Sequence, residues 1–455
     1  MPGETFIVPV KLRCSLFALA TLLICCGIRA QNPSPSPTAS PTPNPASKIP
    51  VNYDESKVGT YTLPDPLVLE NGQRVRDAKT WNNKRRPEIL RLFEENVYGR
   101  RPGRPKDMHF EVFDVDKHAL GGKAIRKQVT VYFSAKKDGP KEDVLIYLPA
   151  NAKKPVPLIL SLNFSGNHRI MDDPGIKLAT IWDRKTKTKS QATEDTRGTS
   201  KWPIEKLLEH GIGLATIYYC DIEPDFAGGM EYGVRPLFFK PGQTEPAPDD
   251  WGAIGAWGWG LSRAMDYVET DKDIDAKHVA ILGHSRLGKT VLWAGAADTR
   301  FAMVLAAGSG ESGAALARRD FGETVKHMNV NFAYQFCQNY QKWGDHINDM
   351  PVDQHELIAL IAPRFVYLAD GDQDLWSDPK GEFLSAVAAG PVYRLLGKDD
   401  LGTDQWPPVN QPIQHTIAYH LRTGKHELAP YDWDQYIAYV DANFKTSPQS
   451  SVLSK

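Results

Sequence analysis

Near-continuous apolar runs alternate with longer amphipathic segments through the middle and the C-terminal part of the chain. Runs of this kind are typical of parallel strands that are buried on both faces. Helical patterns lie between them, as at 251–270 and 286–298. The alternation predicts an α/β fold, a three-layer sandwich with a mostly parallel central sheet and helices on both faces. The strand-like runs are 156–164, 211–221, 278–285, 301–308 and 364–371.

Earlier in the chain, two segments alternate apolar and polar residues instead. Residues 127–134 and 142–149 follow this pattern, which predicts an antiparallel pair that opens the sheet. The polar stretch 167–200 is longer than an ordinary connection and therefore predicts a loop insertion. We expect it near the carboxyl ends of the strands, where ligands bind in sheets of this kind.

The N-terminal region has the pattern of an export signal. Lys11 and Arg13 precede a short apolar run, and Ala30 supplies a small residue for cleavage. The run is shorter than the ~20 residues that span a bilayer. We predict a signal peptide at 1–30 and a secreted or periplasmic protein. Lipoprotein anchoring through Cys25 or Cys26 is the alternative, although neither follows the small residue usual at such sites.

A Pro/Ser/Thr-rich tract at 31–50 cannot bury apolar surface and is predicted to be an extended linker. No second linker or repeat follows, so 51–455 is predicted to be a single domain with long insertions. The formal net charge of -1 argues against a general nucleic-acid or membrane-surface binder.

Five cysteines are present, and only Cys220 and Cys337 lie beyond the predicted signal. They allow one disulfide but no disulfide framework, and the chain has no CxxC zinc pattern. His355 and Glu356 resemble half of a zinc motif, but no second His follows at the required spacing, so we predict a structural role. We therefore expect neither a metal nor a cofactor.

The stretch "ILGHSRLGKT" (281–290) fits two motifs that belong to different chemistries. Gly283 to Thr290 has the spacing of a nucleotide-binding P-loop, with Lys289 as its lysine and Asp370 as the later magnesium-binding acid. An exported protein meets few nucleoside triphosphates, and bulky side chains occupy the loop. The alternative is a nucleophile elbow, which places Ser285 on a sharp turn between strand and helix.

The rest of the chain favours the elbow. An acidic cluster (Asp370, Asp372, Asp374 and Asp378) follows a later strand, and His426 lies in a loop before the last helix. The order Ser, Asp, His is the one that α/β-hydrolases use. A serine hydroxyl needs an imidazole to take its proton, and the imidazole needs a carboxylate to fix its tautomer.

Arg286 and Lys289 fall in the first turn of the helix after Ser285, where the helix dipole disfavours cations. Two cations at this place predict a concentrated positive pole that suits an oxyanion and a polar substrate.

These residues also carry a family resemblance. "GHSRLGK" is similar to the G-C-S-R-x-G-K elbow of the glucuronoyl esterases, carbohydrate esterase family 15, with His284 in place of the commoner Cys. "ARRDFGET", "DQHELIALIAPR", "DLWSDPKGEF" and "GKHELAPYDW" resemble the bacterial branch, and the likeness extends from about Val51 to Phe444.

The resemblance implies an α/β-hydrolase that cleaves the ester between 4-O-methyl-glucuronate on xylan and a lignin alcohol, and we expect it to act as a monomer. It implies Ser285 as nucleophile, His426 as base and Arg286 as the oxyanion-hole residue. It further implies that Lys289, Glu323 and Trp376 contact the glucuronate ring.

The resemblance leaves two positions for the triad acid. Some relatives carry a Glu at the end of the strand after the elbow helix, which matches Gly308 here, with Glu311 three residues beyond. Others place the acid two residues before the Trp, which matches Asp374. We predict Asp374, with Glu311 as the alternative. Asp370 and Asp372 are predicted to cap loops and Asp378 to cap the following helix.

Several other side chains receive structural predictions. His284 is predicted to pack beside the site, and Trp257 and Trp259 to lie in the core; a site role for His168 stays open. Two competing functions also stay open: an acetyl or feruloyl xylan esterase of the same fold, and a non-catalytic carbohydrate-binding protein on a hydrolase scaffold.

Overall fold

A ten-stranded sheet forms the centre of the molecule in the computed structural model, which describes residues 49–200 and 202–444. Its strand order is β1-β2-β3-β7-β4-β8-β9-β10-β12-β11, and β5 and β6 form a separate hairpin. The strands are β1 (His109–His118), β2 (Ala124–Tyr132), β3 (Lys141–Pro149), β4 (Val156–Asn163), β5 (Thr180–Asp183), β6 (Thr188–Gln191), β7 (Gly213–Tyr218), β8 (Ile274–His284), β9 (Met303–Ala307), β10 (Phe365–Gly371), β11 (Ile413–Gln414) and β12 (Ile417–Arg422).

Helices connect most of the parallel strands. They are α1 (Ala78–Thr80), α2 (Arg86–Asn96), α3 (Ala119–Gly122), α4 (Ile204–Glu209), α5 (Tyr219–Ile222), α6 (Ala253–Val268), α7 (Arg286–Ala297), α8 (Val325–Asn331), α9 (Gln354–Ile361), α10 (Pro379–Leu395) and α11 (Pro430–Phe444). A π-helical turn, Trp81–Arg85, joins α1 to α2. Short 3-10 helices include Glu55–Lys57, Asn167–Arg169, Gly229–Tyr232 and Leu375–Ser377.

Strand directions follow the prediction. β7, β4, β8, β9, β10 and β12 run parallel, whereas β1, β2, β3 and β7 pair antiparallel in that order. The predicted pair at 127–134 and 142–149 corresponds to β2 and β3, and all five apolar runs contain strands of the parallel part. Every residue of β7 and of β9 is buried, as two-sided burial requires.

Helices cover both faces of the sheet, which confirms the three-layer prediction. α6, α7, α9 and α10 pack in the larger core, and α4 and α11 pack in the smaller core on the other face. All sixteen residues of α6 are buried, including Trp257 and Trp259, so both tryptophans are core residues as predicted.

The polar insertion lies beside the carboxyl ends of the strands, as predicted. It contains the β5–β6 hairpin, and the amide of Trp182 on β5 donates to the hydroxyl of Tyr218 at the end of β7 (3.2 Å). Arg184 in the hairpin turn pairs with Asp225, which follows β7 (3.2 Å). The insertion therefore borders the face where a parallel sheet binds its ligands.

Several predicted structural roles can be compared with the contacts. Asp378 caps α10 by accepting from the amide of Gly381 (3.0 Å), and Asp372 accepts from the amide of Gly424 (2.8 Å), both as predicted. The prediction that Asp370 caps a loop is wrong, because Asp370 lies within β10 and is buried.

The two cysteines do not pair, and the residues of the zinc-like motif bind other protein groups. Cys220 and Cys337 are both free and buried, so no disulfide joins them. His355 binds the carbonyl of Pro64 (2.9 Å), and Glu356 pairs with Arg85 (2.8 Å) and closes the capping box of α9. Both are structural residues. Within residues 49–200 and 202–444, no group of three or more His, Cys, Asp or Glu side chains is arranged to hold a metal ion.

The predicted signal peptide and nearly all of the predicted linker lie outside the described residues. Within the described part of the chain, none of the helices has both the length and the apolarity needed to cross a membrane.

Candidate active site

Ser285 occupies a strained turn at the carboxyl end of the central sheet. β8 ends at His284 and α7 begins at Arg286, which leaves Ser285 between them with φ 59° and ψ -130°. A non-glycine residue in this region costs about 1–3 kcal/mol and marks a functional constraint. A Cβ at Gly283 would lie 2.0 Å from the carbonyl oxygen of Leu287, so only glycine allows the helix to follow so closely. This is the geometry of a nucleophile elbow.

The P-loop alternative does not fit the same stretch. Lys289, which would bind a phosphate, stands beside a carboxylate that would repel one. Its Nζ donates to the carbonyl of Ser309 (2.6 Å) and pairs with Oε2 of Glu323 (3.2 Å).

His426 and Asp374, the predicted base and acid, lie in hydrogen-bond contact, and we call them the acid–base pair. Nδ1 of His426 lies 2.5 Å from Oδ2 of Asp374. Asp374 follows β10 and His426 follows β12, and these strands are parallel neighbours, so both side chains emerge at the same edge of the sheet. With Nδ1 bound to the carboxylate, Nε2 is the nitrogen available to take a proton. The side chain of His426 is 38% exposed, so a substrate can reach it.

Backbone contacts hold the loop of His426 against the end of β10. The amide of Gln373 donates to the carbonyl of Gly424 (3.0 Å), and Asp372 accepts from the Gly424 amide. A Cβ at Gly371 would lie 2.4 Å from the carbonyl oxygen of Gly424, so the close approach depends on glycine. The acid and the base are thus fixed to one another by their own loops.

His284 packs against the base. The two rings are 4.5 Å apart between centroids, with 41° between their planes. Burial, followed by the charge of His426, lowers the pKa of His284 to about 3. His284 is therefore neutral at any pH near 7 and is a packed neighbour of the site, as predicted.

Glu311, the alternative acid, lies elsewhere. It is buried and accepts from the hydroxyl of Ser312 (3.0 Å). Burial, followed by the charge of Asp353, raises the pKa of Glu311 to about 8. Gly308 does face the pair: a Cβ there would lie 3.3 Å from Oδ2 of Asp374 and from Nδ1 of His426. The contact with the imidazole thus favours Asp374 over Glu311.

The two cations of the predicted positive pole each have a buried acidic partner, which offsets their charge. Nη1 of Arg286 donates to Oδ2 of Asp225 at 2.5 Å, and Lys289 pairs with Glu323. Asp225 is fully buried and also accepts from the hydroxyls of Tyr219 (2.8 Å) and Tyr334 (2.6 Å). The backbone N–H of Arg286, at the first position of α7, stays directed outward from the helix end and can serve an oxyanion.

Lys289, Glu323 and Trp376 form one connected cluster, although the sequence separates them widely. The two oxygens of Glu323 accept from Nζ of Lys289 (3.2 Å) and from Nε1 of Trp376 (3.0 Å). The amide of Glu323 also donates to the carbonyl of Trp376 (2.8 Å). We call these three residues, which the family resemblance predicts to contact a glucuronate, the uronate cluster.

His168, whose role the sequence left open, is fully buried and cannot contact a substrate directly. Burial lowers its pKa to about 4, so it is neutral at pH 7. It belongs to the 3-10 turn Asn167–Arg169 that follows β4.

Two residues of this region, Asp225 and Tyr53, were not predicted from the sequence. Asp225 could have been noticed as an acid shortly after a strand, but no motif contains it. Tyr53 carries no signal at all. Its ring meets Phe321 edge to face at 6.0 Å, and its pKa is raised by burial and then by the charges of Asp374 and Glu323. The contact with Phe321 places Tyr53 beside the loop that carries Glu323 of the uronate cluster.

The amide of Gly322 fixes the segment of Tyr53 by donating to the carbonyl of Asn52 (2.8 Å). The side chain of Asn52 in turn donates to the carbonyl of Asp320 (2.6 Å). The N-terminal segment is thereby tied to the loop that carries Glu323.

Comparison with known proteins identifies relatives over most of the chain. A family model described as "Glucuronyl esterase, fungi" matches residues 246–397. The structure of a glucuronoyl esterase from Solibacter usitatus superimposes with a TM-score of 0.83 at 54% identity, covering 85% of this chain and 99% of that one.

Two further relatives are also carbohydrate esterases by name. "Carbohydrate esterase MZ0003" from an unknown prokaryotic organism is 50% identical over 86% of this chain and 91% of its own length. A CE15 glucuronoyl esterase from Teredinibacter turnerae is 30% identical, with a TM-score of 0.74 over 88% of this chain and 93% of that one.

Proposed function

Because the chain belongs to the glucuronoyl esterases of carbohydrate esterase family 15, we propose that it hydrolyses the ester joining 4-O-methyl-D-glucuronic acid of glucuronoxylan to a lignin alcohol. The observation that carries the proposal for this chain is the His426–Asp374 contact of 2.5 Å beside the strained turn of Ser285.

Acylation begins when His426 takes the proton of the Ser285 hydroxyl through Nε2. The Ser285 oxygen then attacks the ester carbonyl carbon, and the carbonyl π electrons move to the oxygen. Asp374 stabilises the imidazolium that forms. When the tetrahedral intermediate collapses, the C–O bond to the alcohol breaks and His426 gives its proton to the leaving oxygen.

Arg286 is proposed to stabilise the oxyanion of that intermediate. Its guanidinium is held by Asp225, and its backbone N–H lies at the start of α7, where the helix dipole favours negative charge. Donors fixed before the reaction need no reorganisation as the charge develops.

Deacylation repeats the sequence with water. His426 removes a proton from the water, the hydroxyl oxygen attacks the acyl carbon, and the bond to Ser285 breaks as the serine regains its proton. The free glucuronate leaves as a carboxylate.

The uronate cluster is proposed to select the acid half of the ester. Lys289 supplies an ammonium donor, Glu323 supplies carboxylate acceptors, and Trp376 supplies an aromatic face and edge. A pyranose ring presents hydroxyls at its rim and C–H groups on its faces, which these groups match.

The test is the Ser285→Ala variant, assayed on benzyl and methyl esters of glucuronic acid. We expect loss of activity by at least ~10³-fold with an unchanged circular dichroism spectrum. Ser134→Ala, a serine that caps a distant turn, serves as the matched control. A fluorophosphonate probe should label the wild type at Ser285 and leave the variant unlabelled.

Two results would contradict the proposal. Full activity of Ser285→Ala would exclude the mechanism. Faster hydrolysis of acetyl or feruloyl xylan esters than of glucuronate esters would assign the same triad to another substrate.

We further propose that the enzyme acts as a monomer outside the cytoplasm. Export is supported by the predicted signal at 1–30 and by the polymeric plant cell-wall substrate, which does not enter cells. Mass spectrometry of the secreted protein should find an N-terminus at Gln31. Light scattering should give the mass of one chain.

A further inference from the structure

The segment 308–310, which follows β9, runs between the acid–base pair and the uronate cluster. Its first residue faces the pair, as described above. At its other end, a Cβ at Gly310 would lie 3.5 Å from Oε2 of Glu323 and 3.6 Å from Nζ of Lys289. The carbonyl of Ser309 accepts a hydrogen bond from the same Nζ (2.6 Å). The position of this segment therefore determines where the ammonium group of Lys289 lies.

Different parts of the fold hold the two ends of the segment. The amide of Gly308 donates to the carbonyl of Ala369 in β10 (2.7 Å), so this end is fixed by the central sheet. The other end is held by Glu382 of α10. Oε1 of Glu382 accepts from the amide of Gly310 (2.6 Å) and from the hydroxyl of Ser309 (2.9 Å). Loss of this side chain would release the end at the uronate cluster and leave the end at the acid–base pair in place.

Glu382 supplies a partner that regular secondary structure cannot supply here. Gly308 and Gly310 both have a left-handed backbone, with φ +50° and φ +61°, so the segment neither extends β9 nor begins a helix. Gly310 is buried, and a buried amide without an acceptor costs about 1–3 kcal/mol. The carboxyl group of Glu382 therefore stabilises this conformation of the segment.

The role of Glu382 requires a hydrogen-bond acceptor and not a charge. The side chain is fully buried, and burial raises the pKa of Glu382 above its ordinary value, although the bonds from Gly310 and Ser309 oppose the rise. Burial thus favours the neutral form of the carboxyl group. A glutamine would place an amide oxygen at the same point and accept the same two hydrogen bonds.

We propose that Glu382 is a positioning residue for substrate binding, which holds Ser309 and Gly310 so that Lys289 keeps its place in the uronate cluster. Because Glu382 is fully buried, it acts through Lys289 and touches no substrate itself. The inference rests on the proposed function, since the place of Lys289 affects KM only if the uronate cluster binds the glucuronate.

The experiment compares Glu382→Met and Glu382→Gln with wild type on the benzyl ester of glucuronic acid. Methionine has a similar length but cannot replace the carboxyl acceptor, so we expect KM to rise about five- to twentyfold with kcat within about twofold. Glu382→Gln should keep KM within about twofold of wild type. Val392→Ala, at a buried position near the other end of α10, is the control for a general loss of helix packing and should leave both constants unchanged.

A fluorophosphonate probe reports on the triad independently of the uronate cluster. We expect the rate at which it labels Ser285 to be the same in Glu382→Met as in wild type, because the sheet still holds Gly308. A labelling rate that falls as far as ester hydrolysis does would show a general disturbance of the site and overturn the positioning role.

A double-mutant cycle tests whether Glu382 acts through Lys289. In the Lys289→Met background, adding Glu382→Met should leave KM unchanged, because the group that Glu382 positions is already missing. If the two effects on KM multiply instead, Glu382 acts independently of Lys289 and the proposal is wrong.

The remaining outcomes separate this inference from the proposed function. If wild type hydrolyses no glucuronate ester, the proposed function fails and the inference fails with it. If wild type is active and Glu382→Met leaves KM unchanged, the positioning role alone is excluded. Should Glu382→Met not fold, Ser309→Ala removes one of the two donors to Glu382 and should raise KM about two- to threefold. An unchanged KM in that variant would likewise exclude the role.

Discussion

Asp225 holds the guanidinium of Arg286 through a hydrogen bond of 2.5 Å, although the two residues are 61 positions apart in the chain. The carboxylate is fully buried and is itself held by Tyr334. Arg184 of the hairpin insertion pairs with the same carboxylate. The orientation of Arg286, the residue after the predicted nucleophile, thus depends on three distant segments: the end of β7, the hairpin insertion and the segment before α9.

Replacing Asp225 should therefore impair the chemical step. Asp225→Asn keeps the shape but loses the charge that fixes Arg286, so we expect kcat on a glucuronate ester to fall about 10- to 100-fold, with a smaller change in KM. Asp195→Asn, an exposed residue of the same insertion, is the control. A fall confined to KM would show that Arg286 acts in substrate binding instead.

The two candidate acids can be separated by amide substitutions. Asp374→Asn leaves the geometry but removes the carboxylate that orients His426, and we expect kcat to fall by about 10³- to 10⁴-fold. Glu311→Gln should keep kcat within a few-fold of wild type, because Glu311 bonds Ser312 and not the imidazole. Steady-state kinetics on one ester substrate test both. The reverse ranking would move the acid role to Glu311.

The hydroxyl of Tyr53 is predicted to contact the substrate. Tyr53→Phe keeps the ring on Phe321, so the fold should be unaffected while KM for the glucuronate ester rises about two- to tenfold, the worth of one hydrogen bond. Tyr61→Phe is the matched control, since that hydroxyl faces Arg319. Equal effects of the two variants would indicate a general disturbance of the N-terminal segment.

Glu311 should also shape the dependence of stability on pH. Its pKa is about 8 in the folded protein, against an ordinary value of 4.5, so the folded state binds the proton more tightly. The tighter proton binding stabilises the folded state fully below about pH 4.5, and this stabilisation is lost as the pH rises towards 8. The free energy of unfolding then falls with a slope of up to about 1.4 kcal/mol per pH unit.

Glu311→Gln removes the titration while keeping a side chain of the same size. We expect the variant to gain unfolding free energy relative to wild type between pH 4.5 and 8, and the gain to level off above pH 8. Denaturant unfolding at several pH values measures the difference. Glu209→Gln, an exposed glutamate, should show none. A gain independent of pH would mean that Glu311 is not protonated in the fold.

Continuous apolar runs made the centre of the fold predictable. β4, β7, β9, β10 and the part of β8 from Val279 to Gly283 are buried on both faces, and nothing polar interrupts their pattern for long. β12 gave no such signal because His420 and Arg422 break its apolar run. Both are nevertheless buried, since Asp432 of α11 accepts from each at 2.8 Å. A single carboxylate from a later helix thus makes a polar segment into an internal strand.

In the site, too, residues were predictable from local sequence patterns but not where they depend on tertiary packing. Ser285, Arg286 and Lys289 were found because one strand-to-helix turn carries all three. His426 was found in a loop before the last helix, and Asp374 was chosen from the acids after β10 through the family resemblance. Asp225 and Tyr53 reach the site only through packing of distant segments. The acidic partners of Arg286 and Lys289 likewise come from distant segments, so the sequence predicted the positive pole without them.

Gly308 opens a route by which the triad acid can change position during evolution. It ends β9 next to β10, has φ +50°, and faces both members of the acid–base pair. A Glu introduced there costs about 1–2 kcal/mol for the left-handed backbone, and its Cβ, 3.3 Å from Oδ2 of Asp374, requires Asp374 to shift by a few tenths of an ångström while it still serves the imidazole. Later loss of Asp374 then transfers the role. Each step of this path keeps a carboxylate at His426, so lineages can exchange one acid for the other without passing through an inactive ancestor.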